Sequence, residues 1–391
     1  MRVRPIALAA AMVLAAPHAA AQRGRDAPRV VVRPSPPEIA RGRGDLDRWR
    51  QQDAQALSRR TYVVTERGYR FRRGELLIAG SDAAAFAAAE AMGMVPVART
   101  SLEAAGLVLV VYRAGAGVDA RAVRDALRAS HPEAAIDLNY VYEPRGASAA
   151  AVTTTLAPDI GARTVGMVDV GAPTLAWPDA RLHTLAVANA KAAPSRHATA
   201  VAAVLLNTLR SRAPTLLAAD AVERESPRYA AAASIARGLD WAASGGAAVI
   251  NVSLSGPPNE ALAAVARALA ARGVAIVAAV GNHGPHGAPA YPAAILEVVA
   301  VTATDARGQI YRRANQGAHV DFAASGAWGS GQVGTSFASP VVAGLLARRL
   351  ESADPHALRR ALDALAAAAA DAGASGRDDV FGAGLVTPAT W

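Results

Sequence analysis

The sequence predicts an α/β protein in which a domain with a mostly parallel central sheet, flanked by helices, follows a small α+β domain. Three observations support this prediction. Between residues 74 and 145, strand and helix patterns alternate in the order β-α-β-β-α-β. From residue 159 to 391, short apolar runs alternate with helical stretches, as in sheets that are buried on both faces. Residues 146–158, rich in Ala and Thr, have the composition of a linker between the two domains.

Residues 1–21 have the pattern of a secretory signal peptide. A cationic start over residues 1–5 precedes an apolar run over residues 6–16, and the small residues 19–21 suit cleavage after Ala21. The apolar run is about half the length that spans a bilayer, and no later segment resembles a membrane span. We therefore expect an exported protein, periplasmic or extracellular.

Residues 22–73 form an Arg- and Pro-rich segment that we expect to be a flexible leader. It holds 14 arginines against 6 acidic residues, which accounts for most of the net charge of +9. A basic tail can bind nucleic acid or an anionic surface. The segment lacks interleaved aromatic residues and any nucleic-acid motif, so we expect no nucleic-acid partner. One alternative remains, a basic envelope protein whose leader binds an anionic surface.

The predicted elements of the small domain are short and regularly spaced. A strand at residues 75–79 precedes a helix around 82–92, strands near 95–100 and 106–113, a helix at about 118–130 and a strand near 135–142. This order is that of a ferredoxin-like domain, covering residues 74–145. The order alone says nothing about function.

The composition excludes several kinds of site. The chain has 391 residues, 52% of them hydrophobic, and no cysteine, so it contains neither disulfides nor thiolate metal sites. No acidic cluster has the spacing of a calcium loop. We therefore predict no cofactor and no metal.

The segment Gly334-Thr335-Ser336-Phe337-Ala338-Ser339-Pro340 places a hydroxyl at the start of an apolar helix. Ser336 would lie beside unpaired backbone N–H groups and the positive end of the helix dipole, which can stabilise an oxyanion. Pro340 is expected in about the first turn, where its missing N–H costs little. The alternative is that Thr335 or Ser336 only caps the helix.

Three further polar residues follow apolar strands or open a helix. Asp169 ends the strand at residues 164–168, His197 opens a helix that we expect to be amphipathic, and Asn282 follows the strand at residues 274–280. Because ligand sites in such sheets lie at the carboxyl ends of the strands, these residues are expected to meet there. The chain order Asp, His, Ser is one of the known orders of a catalytic triad.

With these motifs, residues 159–391 resemble the subtilisin-like serine peptidases, the subtilase family. The resemblance rests on Asp169 with Gly171, on His197 with Thr199 and Val201, on Gly281-Asn282, and on the highly specific motif around Ser336. The chain departs from the family pattern at Ala198, where a glycine usually follows the histidine. A methyl group there is expected to crowd the helix against the active site.

The resemblance implies roles for these residues. Ser336 would be the nucleophile, His197 the general base, Asp169 its orienting carboxylate and Asn282 an oxyanion donor. Residues Ser253, Leu254, Ser255 and Gly256 resemble the strand that pairs with the substrate backbone. The chain would be a secreted, self-processing endopeptidase of polypeptide substrates, a monomer, with its own N-terminal domain as propeptide. The alternative is a catalytically inactive subtilase fold that binds peptides or assists folding in the envelope.

Overall fold

The computed structural model describes residues 60–144, 159–175, 177, 179–188, 191–328 and 332–388. The predicted signal peptide, most of the predicted leader and the predicted linker lie outside these ranges. Among the described helices, none is long and apolar enough to cross a membrane.

An antiparallel sheet carrying two helices forms the first part of the described chain, which we call the N-terminal module. Asp82 and Asp119 start the two helices, because their side chains accept hydrogen bonds from backbone N–H groups of the first turns. The sheet has the strand order β3-β4-β2-β5, with β1 added beside β2. The elements are β1 Tyr62–Val64, β2 Arg70–Gly80, α1 Ala83–Ala91, β3 Met94–Leu102, β4 Leu107–Ala114, α2 Ala120–Ser130 and β5 Ala135–Pro144.

The module begins earlier than the sequence predicted, since β1 and the first residues of β2 fall inside the expected flexible leader. The expectation was wrong for residues 60–73 because it treated their arginines as solvated. At the start of β2, Phe71 is buried in the core and the next residue, Arg72, is directed to carboxylates. After β1, the element order is the expected β-α-β-β-α-β.

A parallel sheet organises the second part of the chain. Its strand order is β18-β15-β14-β13-β11-β6-β8-β7, and its neighbouring strands pair in parallel. The strands are β6 Arg163–Asp169, β7 Arg181–Ala186, β8 Pro214–Asp220, β9 Val222–Glu223, β10 Ser226–Ala231, β11 Val249–Val252, β12 Leu254–Ser255, β13 Ala275–Ala279, β14 Val299–Thr304, β15 Phe322–Ser325, β16 Ala327–Trp328, β17 Gln332–Val333 and β18 Leu385–Val386. The helices are α3 Arg196–Leu209, α4 Ala232–Ser244, α5 Glu260–Ala270, α6 Thr335–Arg349 and α7 Pro355–Ala368.

Two apolar clusters form the core. One contains α3, α6 and part of α7 packed against one face of the parallel sheet. The other contains α4 and α5 on the opposite face, and it continues into the core of the N-terminal module. This arrangement confirms the predicted α/β class with a parallel sheet between helices, and it leaves the carboxyl ends of the strands at one edge.

Strand β5 links the two parts. Its residues Val141 and Tyr142 pair with β10, and Glu143 and Pro144 pair with β12, both times antiparallel. The carboxyl end of the module therefore lies between two strands of the second domain. Because the partners are roughly 90 to 110 residues away in sequence, no local pattern predicts this pairing.

Candidate active site

Asp169 and His197 form a buried hydrogen-bonded pair. Asp169 is the last residue of β6, and His197 is the second residue of α3, whose cap is Ser195. The Nδ1 atom of His197 lies 3.0 Å from Oδ1 and 2.9 Å from Oδ2 of Asp169. The Asp169 carboxylate also accepts a hydrogen bond of 2.7 Å from the backbone N–H of Val170. These contacts fix the imidazole with Nδ1 toward the carboxylate and Nε2 directed away from it.

Within the described residues, His197 Nε2 is buried and has no hydrogen-bond partner. The imidazole ring centroid lies 6.1 Å from that of Phe337, the residue after Ser336. The histidine and the serine motif are therefore neighbours, with the imidazole's second nitrogen available. Catalytic hydrogen bonds are often made only once substrate is bound.

Helix α3 is buried on almost all sides, so the expectation of an amphipathic helix was wrong. It packs against α6, which itself lies on the parallel sheet, and this position explains its apolar composition. Ala198 is fully buried there, beside an intact Asp169–His197 pair. Gly344 allows α3 and α6 to approach closely, since a Cβ at that position would lie 2.7 Å from Thr208 Cβ.

Ser336 is the second residue of α6 and is 2% exposed. Gly334 is the residue that caps the helix, without a side-chain hydrogen bond, so neither Thr335 nor Ser336 serves as the cap. Pro340 is the sixth helical residue, beyond the first turn where the sequence placed it. Its missing N–H leaves the carbonyl of Ser336 without the usual helical donor. Ser253 Oγ donates to that carbonyl at 3.0 Å instead.

Asn282 lies next to the serine motif. Its Oδ1 accepts hydrogen bonds from the backbone N–H and the hydroxyl of Thr335, at 3.2 and 3.0 Å. These two donors identify Oδ1 as the oxygen of the amide, which leaves Nδ2 as the donating group. A side-chain amide held beside a helix N-terminus has the chemistry of an oxyanion donor.

The predicted substrate strand, residues 253–256, is buried or nearly so and pairs with β5 through Leu254 and Ser255. Tyr142 of β5 is completely buried, and its hydroxyl donates a 2.8 Å hydrogen bond to the carbonyl of Pro257. Gly256 makes room for the ring, because a Cβ there would approach it to 2.5 Å. In this structure the segment thus pairs with the chain's own strand β5 and accommodates the ring of Tyr142.

Arg72 forms an ion cluster between the module and the second domain. Its guanidinium lies 2.6 Å from Glu223, 2.9 Å from Glu225 and 3.0 Å from Glu75. Burial raises the pKa of Glu223, against the opposing effect of Arg72. The hydrogen bond from Arg72 lowers the pKa of the more exposed Glu225.

The module also contacts the starts of two helices of the second domain. Asn139 accepts from the backbone N–H of Ala233 in α4 at 3.2 Å, and Asp137 accepts from that of Glu260 in α5 at 3.0 Å. These side chains complement the unpaired N–H groups and the dipole at each helix start.

Sequence reasoning assigned no role to Asn315 or Asn251. Asn315 accepts from His283 N–H at 2.8 Å and donates to Ala288 at 2.8 Å, which holds the loop after Asn282. Asn251 donates to Ser253 Oγ at 3.0 Å and so orients the hydroxyl that reaches Ser336. Both are buried amides in loops or strand ends, and no local motif marks such residues.

Comparisons with known proteins identify the family of the chain. Residues 184–384 match the family model described as Peptidase_S8, the subtilase family. No protein in the curated set matches the sequence. Fervidolysin from Fervidobacterium pennivorans, a keratinolytic enzyme related to subtilisin, has a similar structure with a TM-score of 0.61. It is 16% identical, over 85% of this chain and 63% of its own.

Two further solved structures are similar to part of the chain. A lanthipeptide protease is 19% identical over 60% of this chain and 87% of its own, with a TM-score of 0.49. The prenylagaramide maturation protease PagA is 24% identical over 58% of this chain and 91% of its own, with a TM-score of 0.47. The family match extends over more than half of the chain. This chain therefore belongs to the subtilase family and is a serine endopeptidase acting on polypeptides.

Proposed function

We propose that Asp169, His197 and Ser336 form the catalytic triad of this peptidase and that Asn282 is its oxyanion donor. The observation that supports this most strongly is the buried pair of His197 Nδ1 with both oxygens of Asp169, with Nε2 left unpartnered among the described residues. A histidine held in this way is oriented to act as general base.

The proposed reaction follows from these positions. Ser336 Oγ attacks the carbonyl carbon of the scissile peptide while His197 Nε2 takes its proton. Asn282 Nδ2 donates to the oxyanion of the tetrahedral intermediate. When the C–N bond breaks, His197 returns the proton to the leaving amine, and an acyl-enzyme ester on Ser336 remains. Water, deprotonated by His197, then hydrolyses the ester and regenerates Ser336.

Substrate is expected to bind as an extended strand between β10 and β12. Support comes from β5, which already pairs with both strands through its last four residues. Main-chain pairing of this kind binds many sequences, and side-chain pockets then select among them. Residues 253–256 would accordingly contact the substrate residues that precede the scissile bond.

We also propose that the N-terminal module is a propeptide that the enzyme removes from itself. The pairing of β5 supports this, because the module's carboxyl end occupies the strand position proposed for substrate. β5 and β12 are antiparallel, and their pairing ends with Pro144 opposite Leu254, the residue after Ser253. Since Ser253 contacts Ser336, we propose Arg145–Gly146 as the bond that is cleaved. Sequencing the N-terminus of the large product tests this bond.

Export through the signal peptide, residues 1–21, belongs to the same proposal. A precursor that is secreted and then processed would keep its peptidase inactive inside the cell. Fractionation of expressing cells would test export: full-length protein confined to the cytoplasm would contradict it.

A serine-directed fluorophosphonate probe tests the triad. We expect it to label Ser336 in the processed wild-type protein, and we expect no label in Ser336→Ala or His197→Ala. Absence of label in folded wild-type protein would favour the alternative, an inactive peptide-binding fold. The matched control is Ser339→Ala, because Ser339 lies in the same helix and contacts Ser253 but has no proposed chemical role.

A further inference from the structure

We propose that Asp220 is a positioning residue that fixes the Asp169–His197 pair, an inference that rests on the proposed triad. Asp220 ends β8 and is the direct neighbour of Asp169 in the register of β8 and β6. Its carboxylate is 1% exposed. Nothing in the motifs of the sequence pointed to this residue.

Three backbone N–H groups donate to this carboxylate. Gly171 and Val222 donate to Oδ1 at 2.8 and 2.9 Å, and Ala193 donates to Oδ2 at 2.9 Å. Along the parts of the chain that the structure describes, no lysine, arginine or histidine forms an ion pair with Asp220. Among the described residues, the partners of the buried Asp220 carboxylate are therefore backbone N–H groups, which is a demanding arrangement to maintain.

Each donor belongs to a segment that carries part of the site. Gly171 follows Asp169 by two residues. Ala193 precedes Ser195, the cap of α3, by two residues and His197 by four. Val222 begins the β9–β10 hairpin, which pairs with β5. One carboxylate thus holds the backbone next to the orienting acid, next to the base and at the edge of the substrate cleft.

The segment that contains Gly171 and the segment that contains Ala193 also contact each other directly. Ala172 N–H donates to the carbonyl of Ala193 at 2.6 Å, and Ser195 N–H donates to that of Ala172 at 2.9 Å. Gly171 has φ of +85°, and a Cβ there would lie 2.4 Å from Ser195 Cβ. Asp220 adds an acceptor on either side of this close approach, so the spacing between Asp169 and His197 depends on it.

An aspartate suits this role better than an asparagine. A carboxylate offers two acceptor oxygens, whereas an amide offers one oxygen and a pair of donors. In Asp220→Asn, an NH2 group would face either the N–H of Ala193 or those of Gly171 and Val222. One or two hydrogen bonds would be lost, and the segments would move apart.

The test compares Asp220→Asn with wild type and with Asp321→Asn in the full chain. Asp321 is the control, because its carboxylate also accepts a backbone N–H, from Ala300 at 2.9 Å, directly before β15 and outside the site; its other oxygen pairs with Arg377 at 2.9 Å. Turnover is measured on a peptide substrate and normalised to the sites that a fluorophosphonate probe titrates. We expect kcat per titrated site to fall about 10- to 100-fold in Asp220→Asn, KM to change less than about threefold, and Asp321→Asn to keep wild-type kcat.

A second readout is independent of processing. In the Ser336→Ala background, the proton on His197 Nδ1 is followed by its downfield NMR resonance. We expect Asp220→Asn, and not Asp321→Asn, to shift or broaden this signal. An unchanged resonance, or a kcat within twofold of wild type, would overturn the role of Asp220. Loss of all labelling in wild type would instead contradict the triad itself.

A milder variant covers the case in which Asp220→Asn does not accumulate. Ala193→Pro deletes one of the three donors and leaves the carboxylate in place. We expect a folded protein with kcat reduced about threefold to tenfold. Wild-type kcat in a folded Ala193→Pro protein would overturn the proposal.

Discussion

The Arg72 cluster gives a prediction whose size follows from burial. We expect Arg72→Met to lower the free energy of unfolding of the Ser336→Ala precursor, which keeps the module attached. The side chain of Arg72 is 15% exposed, and those of Glu75 and Glu223 are 6% and 7% exposed. Removing one partner of a buried pair typically costs about 3–5 kcal/mol, because a charge is left buried and uncompensated.

The remaining contacts place the expected loss at the lower end of that range. Glu75 keeps Asn139 and Arg113, and Glu223 keeps the hydroxyl of Ser234 at 3.0 Å. We therefore expect a loss of about 3 kcal/mol. Arg113→Met is the control: Arg113 also pairs with Glu75 but is 58% exposed, so its loss should stay below about 1 kcal/mol.

Urea denaturation of the three proteins measures the difference. Adding Glu223→Gln to Arg72→Met should recover at least about 1 kcal/mol, because the double variant no longer buries an unpaired carboxylate. If Arg72→Met lost no more stability than Arg113→Met, the cluster would not anchor the module, and the reasoning from burial would be refuted.

Three further predictions concern the site and its support. Asn282→Ala should lower kcat about 10²- to 10³-fold with little change in KM, as measured by steady-state kinetics, since one oxyanion donor is lost; a change confined to KM would argue against that role. Gly344→Ala should lower the free energy of unfolding, measured by thermal denaturation, by about 1–3 kcal/mol, because the new Cβ would meet Thr208 and Leu205. Gly161→Ala is the control: a Cβ there meets open space, and the free energy of unfolding should not change. The hydrogen bond from Arg72 lowers the pKa of Glu225 below its ordinary value of 4.5. The stability that ionised Glu225 gives the precursor is therefore complete above about pH 4.5, and it is lost as the pH falls through the lower pKa of the folded state. Glu225→Gln should therefore flatten the acid limb of precursor stability, and an unchanged acid limb would contradict this assignment.

The parts of the fold that the sequence predicted correctly are those governed by local rules. Apolar runs at residues 164–168, 248–252 and 274–280 mark buried parallel strands, and the structure has strands in these places. Because such strands end at one edge, the polar residues after them were expected to meet. Asn282 and Ser253 do contact the start of α6, at Thr335 and Ser336.

Other features depend on contacts that are distant in sequence. Arg72 was interpreted as part of a solvated leader, because its partners Glu223 and Glu225 lie some 150 residues away. The same distance hides the pairing of β5 with β10 and β12. Pro340 was placed too early because a helix start is known only to within a residue or two from sequence. Its function there, freeing a carbonyl for Ser253, becomes apparent only in three dimensions.

The most direct test of the central claim is the intact mass of residues 22–391 followed over time, for wild type and for Ser336→Ala. The proposed function predicts that wild type alone sheds its N-terminal part and leaves a product beginning at Gly146, and that the shorter protein hydrolyses a peptide substrate. If the two proteins are shortened alike, or if folded wild type stays intact and inactive, Ser336 is not the nucleophile of a self-processing peptidase.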